Sequence, residues 1–301
     1  MKKIITSIII LFFGISLTMP MVFGTVTLYD VKNYPYDIDE KYGYLENGEG
    51  DAYDLMYYLS INGITYSYGP ATYTTELDGR QIVLGVTNIG GLNVQRKIFV
   101  PLTENWARYL EIIHNPTGAP ITANVRIYGN LGSDSSTTLI STSSTVYSPP
   151  LLVPSGGQII PGPGNFWAVT DDYSDGGADP SLAHVWGGPK GNDHIDYARF
   201  YNTTHNDNLE YLWNNITIAP GQTVVIMHFA VQQTNSANAI SEAKELYDND
   251  GNLNHIMYAS EPNSNDIQNI INWGARQQNK ELPMKGILDI IKKNKEESND
   301  N

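Results

Sequence analysis

Cysteine is absent from the 301 residues. That excludes disulfide staples, thiol catalysis, cysteine-ligated zinc and a lipidated cysteine anchor. An exported chain without staples needs a core large enough to hold itself together. Basic residues are scarce, 18 Lys and Arg against 32 Asp and Glu, a net charge of −14. Nucleic acid and anionic membrane surfaces both demand a basic face, so neither is an expected partner. Past the first two dozen residues no apolar run approaches the roughly 20 residues that a bilayer requires. The six histidines, at positions 114, 184, 194, 205, 228 and 255, form no HExxH or HxH pair, which leaves zinc hydrolysis without a motif. No Gly-x-Ser-x-Gly elbow and no phosphate-cradling glycine loop is present.

What is present begins with a leader. Lys2 and Lys3 precede an apolar stretch from Ile4 to Leu17, Pro20 interrupts it, and Gly24 offers a small residue for cleavage. The reading is a signal peptide over 1–24, with a retained N-terminal anchor as the alternative. Loss of the two lysines leaves 16 basic residues against 32 acidic ones, a net charge of −16. The expected destination is secreted or cell-surface, with no membrane insertion after signal cleavage.

The mature chain reads as an all-β protein. Residues 25–50, rich in Tyr, Asp, Asn and Gly, suggest an extended lead-in with at most an edge strand. Period-two alternation follows: Ile121, Ala123, Val125 and Ile127 alternate with Thr122, Asn124, Arg126 and Tyr128. Leu92, Val94, Ile98 and Val100 show the same pattern with Arg96 breaking the apolar face. The run Val224 to Val231 is apolar on both faces except for His228, which suits the centre of a sheet. Asp78-Gly79, Gly90-Gly91, Asn115-Pro116 and Pro220-Gly221 separate such runs as turns. Helical spacing appears only near the end, at Ala239, Ile240, Ala243, Leu246 and Tyr247, again at Ile267, Ile270 and Ile271, and a third time after Pro283. The predicted architecture is a large antiparallel β-sandwich over 51–234, a short C-terminal helical appendage over 235–293 packed on it, and a disordered tail over 294–301.

Four stretches together carry a resemblance. They are Gly90 to Pro101; Arg108-Tyr109-Leu110-Glu111 with Asn115-Pro116-Thr117 and Asn130 to Ser135; Trp167 to Asp172 with Asp179-Pro180 and Ala183-His184-Val185; and Pro220 to Thr223 with His228-Phe229-Ala230. The pattern resembles a β-sandwich module of bacterial secreted and cell-surface proteins, over roughly residues 50–275. The order of segments is also similar to galactose-mutarotase-like sandwiches, which implies a sugar-related role on an architectural likeness alone.

Three features invite chemistry. Asp171, Asp172, Asp175 and Asp179 lie within nine residues beside glycines, a composition suited to calcium or to a solvated turn capped by its own side chains. The loop Asp248 to Asn254 starts like a calcium loop, but its glycine falls at the fourth place and Ala259 stands where a bidentate Glu belongs, so a helix connection explains it better. Trp167 and Trp186, with His184 nearby, are the binding candidates, weighed against a packing role. No catalytic residues are assigned and no cofactor other than calcium is expected. The function expected is non-catalytic binding, adhesion or surface assembly, with an extracellular glycan or surface protein as partner. The alternative is a carbohydrate-active enzyme or sugar-binding protein on a mutarotase-like sandwich.

Overall fold

Alternating sequence becomes two facing sheets. A computed structural model describes residues 24–69, 73–133, 136–154, 156–172, 175, 177, 179–203 and 206–275. The leader before Gly24, the helix expected after Pro283 and the tail lie outside the described residues. Among the described residues, one sheet of nine strands runs in the order Thr25–Tyr29, Pro35–Asp39, Leu45–Asn47, Tyr53–Ile61, Ile121–Leu131, Asn206–Ile218, Tyr197–Thr203 and Gln158–Pro161, with Ile64–Thr65 paired to the 53–61 strand. The other, of ten strands, runs Val146–Leu152, Thr138–Thr142, Trp167–Asp171, Ser181–Val185, Thr223–Gln233, Trp106–His114, Leu92–Phe99, Gln81–Val83 and Thr74–Glu76, with Thr87–Ile89 beside the 92–99 strand. The fold is an all-β antiparallel sandwich. The 223–233 strand, apolar on both faces, lies inside the larger sheet between the 106–114 and 181–185 strands, as its composition requires.

The lead-in expected over 25–50 is corrected. It forms three strands that extend the nine-stranded sheet, so the sandwich begins at Thr25 and not at residue 51. Its polar residues face outward while Leu28, Tyr36, Ile38 and Leu45 enter the core, and strands of three to five residues are too short for alternation to stand out.

The ten-stranded sheet is buried on both sides. Its inner face, with Ile98, Tyr109, Ile226 and Ala230, meets the other sheet. Its outer face, with Leu110, Val225, Met227 and Phe229, meets the helical appendage. The helix Ser236–Asp248 is capped by Asn235, whose side chain accepts from the Asn238 amide, and it buries Ala239, Ala243 and Leu246, the stripe read from the sequence. Short helices Ile256–Ala259 and Ser264–Gln268 complete the layer. Lys97 and Arg108 point out from the sheet beneath them. Glu261 takes Lys97 Nζ at 2.8 Å and Arg108 Nη2 at 3.1 Å, and Asp266 holds Lys97 at 3.0 Å, so the appendage is clamped by paired charges as well as apolar contact.

Candidate functional site

Among the described residues no helix packs on the outer face of the nine-stranded sheet, and its strand register lays out a grid. Tyr58 stands opposite Tyr128, Tyr128 opposite Glu210, and Glu210 opposite Arg199, one row across four strands. Two residues along three of the strands, and four along the 53–61 strand, Asp54, Asn130, Asn208 and Tyr201 form a parallel row by the same pairings. These positions face outward because their neighbours Leu59, Ile127, Leu209, Tyr211, Ala198 and Phe200 fill the core, and side chains alternate along a strand.

Tyrosine rings line one end of this grid. Tyr58 and Tyr128 stack at 5.5 Å between centroids and 22° between planes. Tyr42 continues the run edge-on 5.7 Å from Tyr58, and Tyr44, itself buried, packs against both at 5.8 Å and 4.5 Å. The Arg126 guanidinium sits 4.2 Å from the Tyr128 ring and its Nε donates to Glu210 Oε2 at 2.9 Å. Tyr197 donates to the other Glu210 oxygen at 3.3 Å, and Arg199 lies over the Tyr201 ring at 4.7 Å. Burial raises the Tyr58 and Tyr44 phenols above their usual value, so both are neutral at physiological pH.

A bulge gives the face a depression. In the 53–61 strand Leu55 and Tyr57 have φ of +70° and +73°, rarely populated by non-glycine residues. Asp54 and Leu55 then both face out, while Met56 and Tyr57 both turn in. The bulged backbone presses on Gly129, where a Cβ would meet Leu55 O at 2.4 Å and Met56 Cα at 2.6 Å, so only glycine fits there. The result is an open depression of about 300 Å³ lined by Asp54, Leu55, Tyr58, Tyr128, Asn130 and Asn208. Carboxylate, amides and aromatic rings meet there in a form that can stack a ring and hydrogen-bond its substituents.

Beneath this face lies a second polar constellation, fully enclosed. Arg96 Nη2 contacts Glu111 Oε1 at 2.7 Å, and the same oxygen is 3.0 Å from His228 Nε2. Burial opposes both charges, but Arg96 and then His228 hold the Glu111 carboxyl below its usual range, and Glu111 holds Arg96 above its own. With Glu111 ionised, His228 Nε2–H donates to it and Tyr211 Oη, 2.9 Å from Nδ1, donates to His228. Tyr57 reaches across the sandwich to His184 Nδ1 at 2.7 Å, and His184 Nε2 lies 3.0 Å from Thr170 Oγ1. Burial pushes the His184 imidazole down to about 3. A carboxylate beside an imidazole is the material of acid–base catalysis, but Arg96, Glu111, His184 and His228 are all 0% exposed, so the closed molecule gives a substrate no route to them.

Burial also corrects the binding assignment made from sequence. Trp186 is 1% exposed and His184 0%, so neither offers a surface to a ligand, and Trp167, 3% exposed, reaches only the wall of a shallow depression it shares with Thr145, Ile240 and Lys244. Trp186 donates to Asn165 O at 2.8 Å, and Trp167 packs in the layer beneath the 236–248 helix. The residues that sequence reasoning missed are tyrosines. Tyr128 and Arg126 were visible on the polar side of an alternating strand, whereas Tyr58 was masked by the bulge, which breaks the alternation.

The acidic loop brings Asp171 and Asp175 together, and among the described residues no third carboxylate joins them. Asp175 accepts from the Ser236 amide at 2.8 Å and hydroxyl at 3.0 Å, and Asp179 Oδ2 lies 3.4 Å from Ser133 Oγ. Asp171 takes the Ser181 hydroxyl at 2.6 Å and hydrogen-bonds Asp175, and burial raises it to about 7 while the Ser236 amide holds Asp175 low. That is a proton-sharing pair. The Asp172 amide donates to Asp171 Oδ1 at 2.9 Å. Among the described residues no three His, Asp or Glu side chains are placed to hold a metal ion. In the 248–254 loop Asp250 is 1% exposed and accepts from the amides of Lys190 and Gly274, both at 2.6 Å, and from Tyr258 Oη at 3.2 Å. It joins helix end, loop and chain, the connecting role that the spacing favoured.

No family model and no curated protein matches this chain. Similar solved structures include the Slr1438 protein of Synechocystis sp. PCC 6803, at 10% identity, 74% of this chain, 100% of that one and a TM-score of 0.49. A galactose mutarotase related enzyme of Lactobacillus acidophilus matches at 7% identity over 70% of this chain and 98% of its own, TM-score 0.46. A galactose mutarotase-like protein of Lactobacillus casei matches at 11% identity over 70% and 100%, TM-score 0.45. Likeness at this level carries no information about what this chain binds.

Proposed function

We propose that this is an exported, non-catalytic binding protein that takes a glycan on the outer face of its nine-stranded sheet. The observation that carries the reading is the run of partly exposed tyrosine rings from Tyr42 through Tyr58 to Tyr128, with Asp54 and Asn130 beside Tyr58 and Tyr128 around one depression. Sugar rings present an apolar face and a rim of hydroxyls, and this surface supplies rings for the one and paired donors and acceptors for the other. The leader read at residues 1–24 supports export, and the excess of acid over base argues against polyanionic partners.

The test is a glycan panel probed with mature protein, followed by Tyr58→Ala and Tyr128→Ala. At least tenfold weaker binding by each variant, with melting temperature close to the parent's, is the expected result. Binding that survives both substitutions, or a panel with no binder, rejects the reading.

A further inference from the structure

The glycan reading leaves open which glycan, and the register of the face addresses that. We infer that the ligand is a neutral, linear oligosaccharide or polysaccharide lying across the strands, from the Tyr42 end toward Arg199 and Tyr201. This rests on the proposed function and narrows it.

Direction comes from the grid. Tyr58, Tyr128, Glu210 and Arg199 are in direct register, so their row runs perpendicular to the strands. The row Asp54, Asn130, Asn208 and Tyr201 runs parallel to it about 7 Å away, two residues along three of the strands and four along the bulged 53–61 strand. One row is mostly ring and guanidinium, the other mostly carboxylate and amide. A chain laid along the first keeps its hydroxyl edge against the second. Laid along a strand instead, it would cross from ring to charge within two residues.

Length follows from spacing. Three strand intervals of about 4.8 Å separate the Tyr58 and Arg199 strands. Tyr42 adds 5.7 Å beyond Tyr58. The row is therefore about 20 Å long. A pyranose ring in an extended chain is about as long as one strand interval, so the face fits about four rings.

Charge selects a neutral chain. Arg126 is engaged by Glu210 and by the Tyr128 ring, and Arg199 lies over Tyr201 opposite Glu210. Lys41 Nζ lies 4.9 Å from the Tyr42 ring, and its backbone amide donates to Asp39 Oδ1. Asp54 and Glu210 stand within the two rows, and Asp39 and Glu46 lie near Tyr44 at the same end as Lys41. A uronate or sulfate would meet no excess positive charge here, on a chain whose net charge is already −14.

Calorimetry on the mature chain, residues 25–301, tests this with β-1,4-linked gluco-, xylo- and manno-oligosaccharides from disaccharide to hexasaccharide, and with oligogalacturonides as the charged arm. For at least one neutral series, affinity should rise tenfold or more from disaccharide to tetrasaccharide, level off beyond it, and be unchanged by added salt. Tyr201→Ala should weaken the tetrasaccharide at least threefold and leave the disaccharide unaltered. Equal affinity for all lengths, preference for the oligogalacturonides, or failure of all three neutral series overturns the inference. If the wider panel still yields a glycan that depends on Tyr58 and Tyr128, the proposed function survives that failure; if it yields none, both fall.

Discussion

Arg96 and Glu111 stand opposite each other on neighbouring strands, 2.7 Å apart at their closest atoms, and neither side chain reaches solvent. Arg96 also donates to the carbonyls of Tyr42 and Tyr57, so one guanidinium ties two sheets together. A buried ion pair adds little net stability over an apolar replacement, yet removing one member strands a charge and costs about 3–5 kcal/mol. Glu111→Leu or Arg96→Met alone should therefore lower unfolding free energy by that order. The double variant should lose less than the two losses added. Chemical denaturation of all three proteins checks this, and strictly additive losses would contradict it.

His184 predicts the response to acid. Its imidazole is buried against Tyr57 and Thr170 with no carboxylate hydrogen-bonded to it, and burial lowers it from 6.5 to about 3. The unfolded chain therefore takes up a proton that the folded one refuses. This contribution to stability is intact above pH 6.5 and is lost progressively as the pH falls toward 3. Melting temperature followed from pH 7.5 to 4.5 should fall more steeply for the parent than for His184→Gln. Parallel curves would show that the acid response arises elsewhere.

Much of this architecture was legible before the structure. The 121–131 and 223–233 strands announce themselves because long, half-buried or central strands must alternate or be apolar throughout. The 25–47 strands do not, because each is short and its outward residues are the Tyr, Asp and Asn also common in loops. The binding candidates failed for a related reason. Tryptophan suits either a platform or a core, and burial depends on partners far away in sequence: Trp186 is fixed by Asn165 and Asn272, contacts no local pattern encodes. Tyr57 and Tyr58 go to opposite faces as strand neighbours do, but Asp54 and Leu55 share the outer face and Met56 and Tyr57 the inner one where Leu55 and Tyr57 adopt positive φ, so the alternation around Tyr58 is hidden.

Two carboxyls set the opposite pH trend. Burial raises Asp171 and Glu242 each to about 7, with Asp175 assisting at the first and Glu245 and Glu104 at the second. Each is held protonated in the fold and ionised in the unfolded chain at mildly acidic pH. The stability they contribute is complete below about pH 4 and is lost as the pH rises through 7. Asp171→Asn and Glu242→Gln should accordingly raise the melting temperature at pH 8 and have little effect at pH 4. Equal effects at both values would reject the assignment.

Asp250 separates a structural loop from a metal loop. It accepts from two backbone amides and a phenol, while its neighbour Asp248 is exposed. Asp250→Ala leaves those donors buried without a partner, at about 1–3 kcal/mol for each. Hydrogen exchange should quicken across 236–275 before it quickens in the sandwich, and Asp248→Ala should change nothing. Identical behaviour of the two variants would argue against this account.

Gly129 links the bulge to the proposed ligand. A methyl group there would lie 2.4 Å from Leu55 O, a backbone atom that cannot rotate away, so Gly129→Ala must push the 53–61 strand outward or flatten its bulge. Either movement shifts Leu55 and Tyr58, two walls of the depression, while the interior pairing of Arg96 with Glu111 lies on the other sheet. The variant should lose stability by a few kcal/mol, as overpacked sites do, typically about 1–3. It should also lose glycan affinity by more than tenfold in the fraction that remains folded at low temperature. Gly118→Ala supplies the control, because a Cβ at Gly118 meets nothing within 4 Å. Unchanged affinity in folded Gly129→Ala protein would mean that the depression is incidental to binding, and would place the ligand on the tyrosine rings nearer Tyr42 and Tyr44.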